Sequence, residues 1–129
     1  MELRFWGGNR IRCRGPRTPL DSYMQRIYNI VVDITYTLAG QTFEWDVEKA
    51  ASNLSKHGVA FPEACEAFFD PFFRLVDATA GEEAREAVIG YTENSRLLFV
   101  VHVTRREESI RIISARPATA EERKFYEYE

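Results

Sequence analysis

The chain has 129 residues, 45% of them hydrophobic and 29% charged, with a formal net charge of −3. This is the length and balance of one ordinary folded domain, which excludes a disordered acidic or basic tail as the whole protein. Two cysteines, Cys13 and Cys65, make neither a disulfide framework nor a four-thiolate zinc site, so an apolar core must hold the fold.

The longest apolar run, Leu97 to Val101, has five residues, against the ~20 that a membrane helix needs. No apolar block follows the first basic residues, so no signal peptide is read there, and a cytoplasmic protein without a membrane partner is expected. The 17 basic residues are 14 Arg and 3 Lys, and they are unevenly spread. Residues 1–40 sum to +3 and residues 41–129 to −6. An acidic body is unlike a general nucleic-acid binder, whose affinity comes from neutralising phosphates. Arginine in preference to lysine, however, suits bidentate recognition of phosphate or carboxylate.

Residues 1–22 scatter Gly7, Gly8, Gly15, Pro16 and Pro19 among arginines without a period of 2 or 3.6. Residues 1–26 are read as a basic, poorly ordered extension, with Met24 an alternative start. A single domain then covers residues 27–129. Ile27 to Leu38 is rich in Ile, Val, Tyr and Thr, the composition of a strand, and Ala39-Gly40-Gln41 turns it into a second strand at Thr42–Trp45. Asp46 is an N-cap residue for a helix whose apolar stripe is Val47, Ala50, Ala51 and Leu54, and Gly58 ends it. Pro62 opens a second short helix that Asp70-Pro71 closes.

Strands follow at Phe73–Ala78, Glu86–Thr92, Leu97–Thr104 and Ser109–Ala115, with a tight turn at Asn94-Ser95 and a polar one over Arg105–Glu108. Thr119 and Glu122 have capping-box spacing for a final helix. Hairpins in succession, not strands alternating with helices, point to an α+β fold: an antiparallel sheet with helices packed on one side.

Two blocks are more specific than this pattern. One is Phe43-Glu44-Trp45-Asp46 with Lys49, Asn53, Lys56-His57-Gly58-Val59 and Phe61. The other is Ile110-Arg111-Ile112-Ile113-Ser114-Ala115-Arg116 with Ala118, Glu121-Glu122 and Tyr126. Together they resemble the BrnT family of bacterial type II toxins, ribonucleases with a RelE-like fold. The resemblance spans about Phe43 to Tyr126, and residues 1–26 have no counterpart in it. It implies RNA cleavage that arrests growth, and neutralisation by a ribbon-helix-helix antitoxin, BrnA. It also implies contact with operator DNA only through the toxin–antitoxin complex.

Metal-independent cleavage uses the RNA's own 2′-hydroxyl as nucleophile. The protein must then move two protons and hold the phosphate. The candidates for proton transfer are His57, whose ordinary pKa near ~6.5 suits the task, and Lys56 beside it. Both also read as cations that satisfy the carbonyls at a helix C-terminus. Arg111, between Ile110 and Ile112, is the leading phosphate ligand, with a surface ion pair as its bland alternative. If Glu107-Glu108 forms a two-residue hairpin loop, Arg111 lies opposite Thr104 and shares a face with His102. Strict alternation turns Arg116 away from Arg111 unless a bulge re-aims it. Arg85 is a further candidate on the same face, or an ion-pair partner of its acidic neighbours. Arg105 and Arg106 are either solvated or contact RNA or antitoxin outside the chemistry, and Trp45 either stacks on a base or belongs to the core. No metal or cofactor is expected. The rival reading is a non-catalytic module that binds an antitoxin and contributes to repression of its own operon.

Overall fold

The computed structural model describes residues 11–14 and 31–128. The expected loose arm (residues 1–10 and 15–26), the alternative start at Met24 and the beginning of the first expected strand lie outside them. The elements in chain order are β1 (Ile11–Arg14), β2 (Val31–Leu38), β3 (Gln41–Asp46), α1 (Val47–His57) and α2 (Phe61–Glu66). A 3-10 turn (Ala67–Phe69), β4 (Arg74–Asp77), β5 (Glu86–Tyr91) and β6 (Leu97–Thr104) follow. A second 3-10 turn (Arg106–Glu108), β7 (Ile110–Pro117) and α3 (Ala120–Tyr128) complete the elements of the described residues.

Local chemistry accounts for the boundaries. Ala39 and Gly40 both have positive φ, 52° and 84°, which makes a two-residue turn whose twist matches the strands it joins. The Asp46 carboxylate accepts the amide of Glu48 at 3.0 Å and starts α1. Gly58 ends the helix at φ 69°, donating its N–H to Leu54 O. At α3 the capping box forms in both directions: Thr119 N to Glu122 Oε1 at 2.9 Å, and Glu122 N to Thr119 Oγ1 at 3.2 Å.

Among the described residues seven strands form one sheet in the order β1-β2-β3-β7-β6-β5-β4. It consists of two antiparallel blocks, β1-β2-β3 and β7-β6-β5-β4, joined by the parallel pair β3–β7. The α+β architecture is therefore present, with one parallel seam in the expected antiparallel sheet. The reason lies in the chain path: α1, α2 and three strands separate β3 from β7, enough for the crossover that a parallel pair requires. Residues Ile11–Arg14, inside the expected extension, add an edge strand to β2.

On one face α1, α2 and the 3-10 turn cover Phe43, Trp45, Val88, Leu98, Val100, Ile112 and Ala115. Gly90 sits beneath this layer, because a Cβ there would lie 2.4 Å from Ala67 O. The last helix departs from the expected one-sided packing: α3 lies against the opposite face. Its Tyr126 ring packs edge-on to Tyr91 at 5.3 Å, and its Phe125 lies 5.9 Å from the Arg74 guanidinium.

Asn53 fastens α1 to the sheet. Its amide donates to Ala115 O at 2.8 Å and Val59 O at 3.0 Å, and its carbonyl accepts Ala115 N at 3.0 Å. Asn53→Ala strands three buried backbone groups and is expected to cost about 2–4 kcal/mol, read as a lower denaturation midpoint at unchanged slope.

Candidate active site

The candidate site lies on the face of the sheet opposite α1 and α2, and a bulge in β7 builds it. Arg111 pairs with Val103, Ile112 with His102, Ser114 with Val101 and Arg116 with Phe99, so the register shifts between Val101 and His102 and Ile113 is left over. The extra residue resets the alternation, and Arg111, Ser114 and Arg116 all point to the same face. Thr104 pairs with Ile110 because the loop before β7 is longer than a two-residue turn. His102 thus faces the helical side, away from Arg111, which corrects the expected shared face.

Arg111 is tied to two carboxylates. Its Nη1 donates to Glu44 Oε2 at 3.0 Å and its Nη2 to Asp33 Oδ1 at 3.2 Å, with only 12% of the side chain exposed. Burial works against its charge, but these two bonds outweigh that and raise its pKa above the ordinary arginine value. Arg116 bonds Glu122 through both terminal nitrogens at 2.8 Å, and its guanidinium lies 4.2 Å from the Phe99 ring centre. Those bonds raise Arg116 and lower Glu122 from their ordinary values.

The other expected residues fall elsewhere. Lys56 and His57 are exposed in the last turn of α1. Arg96, just before β6, donates to Gly58 O at 3.3 Å, and Ala118 N donates to Leu97 O at 2.9 Å. His57 and Lys56 therefore share an end of the sheet with Arg116, but not a face with Arg111. Arg85 is at the far end, before β5, paired with Glu83 at 3.3 Å. Arg105 and Arg106 are exposed in the β6–β7 loop. Trp45 is fully buried between Tyr36 and Phe61, with ring centres 5.6 Å away on each side, so it is core and the base-stacking expectation is withdrawn.

Sequence reasoning did not reach Asp33 and Glu44 as partners of Arg111. Alternation along Phe43-Glu44-Trp45 does put Glu44 opposite the core face, but its partner is a product of the parallel seam. It also missed Asp70, which accepts the amides of Phe72 and Tyr91 and the hydroxyl of Tyr126 at 2.6 Å. Burial alone would raise the Asp70 pKa, but these bonds carry it below its ordinary value. The Tyr126 hydroxyl, desolvated and bound to that carboxylate, is pushed up to about 12. Among the described residues, no three His, Cys, Asp or Glu side chains converge as a metal-binding group. No helix there is long and apolar enough to cross a membrane.

The segment carrying this geometry has a family. Residues 45–122 match the model of the ribonuclease toxin BrnT of type II toxin–antitoxin systems. The chain belongs to this family. The crystal structure of the Brucella abortus ribonuclease toxin BrnT aligns with 26% sequence identity and a TM-score of 0.48, covering 58% of this chain and 92% of that one. No curated protein matches the chain. As a type II BrnT-family toxin, it has an antitoxin as its implied partner.

Two predictions follow from these contacts. Arg111→Ala leaves Asp33 and Glu44 facing each other without their shared cation and is expected to lower stability by about 3 kcal/mol, measured by denaturant titration. Tyr126→Phe is expected to cost about 1 kcal/mol at neutral pH. The depressed Asp70 contributes above its unfolded value and less as pH falls through its folded one. The raised Tyr126 contributes fully below pH 10 and loses its effect toward about 12. The gap between Tyr126→Phe and the parent chain should therefore be widest from mildly acidic to mildly alkaline pH and close at both extremes.

Proposed function

We propose that this chain is an endoribonuclease that cleaves RNA without a metal, by attack of the 2′-hydroxyl on the adjacent phosphate, leaving a 2′,3′-cyclic phosphate. The observation that carries the reading is the pair of guanidiniums, Arg111 and Arg116, brought to one face by the bulge at Ile113. Arg116 is one-third exposed along its side chain and holds a non-bridging phosphate oxygen, in competition with Glu122. Arg111, further along the same face, adds to the local field, and Arg105 and Arg106 take phosphates beyond it.

The RNA passes round the end of the sheet that Arg116 shares with the C-terminus of α1. There His57, assisted by Lys56, handles the proton leaving the 2′-hydroxyl and the proton arriving at the departing 5′-oxygen. A BrnA-like ribbon-helix-helix antitoxin neutralises the toxin in the cytoplasm, and operator DNA is met only through that complex. A second reading, a non-catalytic module that holds an antitoxin and contributes to operon repression, is favoured by one observation. Both arginines of the shared face are already bound to carboxylates.

The test is cleavage of RNA by antitoxin-free protein in EDTA, with fragment ends analysed, beside Arg116→Ala and His57→Gln. Cyclic-phosphate ends that fall about 100-fold or more in Arg116→Ala, with folding unchanged, support the enzyme. Intact RNA from folded, antitoxin-binding protein overturns it and leaves the module.

A further inference from the structure

At the end of the sheet away from His57, a groove of about 540 Å³ opens over β4, β5 and β6. Its polar lining includes Asp77, Arg85, Glu86, His102 and Thr104. Asp77, Glu86 and His102 stand side by side, since Asp77 pairs with Glu86 and Glu86 with His102 across three strands. His102 is 4% exposed, and its Nε2 lies 3.7 Å from Glu86 Oε1, beyond hydrogen-bonding distance. Its ring packs edge-on to Phe68 at 4.9 Å. Arg85 Nε is buried and has no hydrogen-bond partner. Val103 points to the other face and pairs with Arg111, so the groove wraps the end of the sheet, with Asp77, Glu86 and His102 on the helical face and Val103 on the face of the candidate site.

This lining does not suit a phosphate. Two carboxylates stand against one guanidinium that Glu83 already holds, and the local charge repels an anion. It does suit a flat, neutral group with adjacent N–H donors on one edge and acceptors on another. Among the RNA bases guanine has that pattern: N1–H and the N2 amino group for a carboxylate, and O6 and N7 for an arginine. The dimensions also fit, because the groove holds a base with its ribose.

We propose that this groove is a guanine-binding subsite of the ribonuclease, in which the Glu86 carboxylate accepts from the N1–H and N2–H groups, Arg85 donates to O6 or N7, and His102 forms the wall at the edge of the base. The base belongs to a nucleotide at a fixed offset from the cleaved bond, on a strand that turns round the Thr104 end of the sheet to reach the face of Arg111. This subsite rests on the ribonuclease reading for its purpose but not for its chemistry.

The experiment is a titration of the full chain, with its histidine rings isotope-labelled, by guanosine, adenosine, cytidine and uridine at millimolar concentration. Nucleosides carry no phosphate, so binding to the arginines at large is not read. Guanosine is expected to shift the His102 ring resonances and leave those of His57 in place, with the other three at least about tenfold weaker. Glu86, more than half exposed along its side chain, is replaced by Gln to remove a charge without disturbing the core. Glu86→Gln should lower guanosine affinity about tenfold or more. Equal shifts from all four nucleosides, no shift with guanosine, or unchanged affinity in Glu86→Gln overturns the proposal. Sequencing of RNA fragment ends separates it from the ribonuclease reading. Cleavage without guanine at any fixed offset sinks the subsite and keeps the enzyme. Guanosine binding selective for this groove, with no RNA cut, keeps the subsite and sinks the enzyme.

Discussion

The sheet depends on its seam. Two antiparallel blocks meet along β3 and β7 through only two paired positions, Phe43 with Ile110 and Glu44 with Arg111. So short a parallel contact is weak by itself, and three side-chain connections reinforce it. Arg111 crosses it to Glu44 and reaches Asp33 one strand further on. On the opposite face Asn53, from the helix that follows β3, bonds both backbone groups of Ala115 in β7. At the end of the seam the Gln41 amide donates to Glu108 O at 2.7 Å. Glu44, Asn53, Arg111 and Ala115, which lie in the two sequence blocks that resemble the family, thus help to hold the two halves of the sheet together.

This gives Arg111 two duties that pull against each other. A guanidinium clamped by two carboxylates in a nearly dry setting is well placed to hold the seam, and poorly placed to release them for a phosphate. Arg116 is the freer of the pair. Its partner Glu122 is more exposed to solvent than Asp33 and is also occupied with the start of α3. The chemistry proposed for this face therefore leans on Arg116 for contact and on Arg111 for field and position. The acidic net charge makes a specific site more important, because long-range attraction to RNA is not available to compensate for poor local contacts.

The two ends of the sheet differ in character. One gathers Arg96, Arg116, Lys56 and His57 around the C-terminus of α1, a polar and cationic rim. The other holds the groove with Asp77, Glu86 and His102 in a row, next to a loop with Arg105 and Arg106. A strand of RNA crossing the face of Arg116 and Arg111 would meet cations for its phosphates first, and would reach the acid-lined hollow only by turning round the far end of the sheet. The α3 latch, Tyr126 on Asp70 with Tyr91 alongside, fixes the outer boundary of that face.

Much of this was legible in the sequence. Period, caps and turns gave the strands and helices from Thr42 onward nearly to the residue, because Asp46, Gly58, Pro62, Thr119 and Glu122 act through bonds to neighbours a few positions away. The two blocks resembling BrnT toxins, Phe43 to Phe61 and Ile110 to Tyr126, fall largely within the segment that the family model matches, residues 45–122. What the sequence left open was everything set by non-local pairing. The need for a bulge to align Arg111 with Arg116 was visible, but its presence was decided by how β6 and β7 register. That Arg111 would meet Asp33 and Glu44, and that Trp45 would be sealed into the core, followed from the parallel seam and the layer of helices over it. A residue's face can be counted along its own strand; its partners are supplied by strands that only the folded sheet brings alongside.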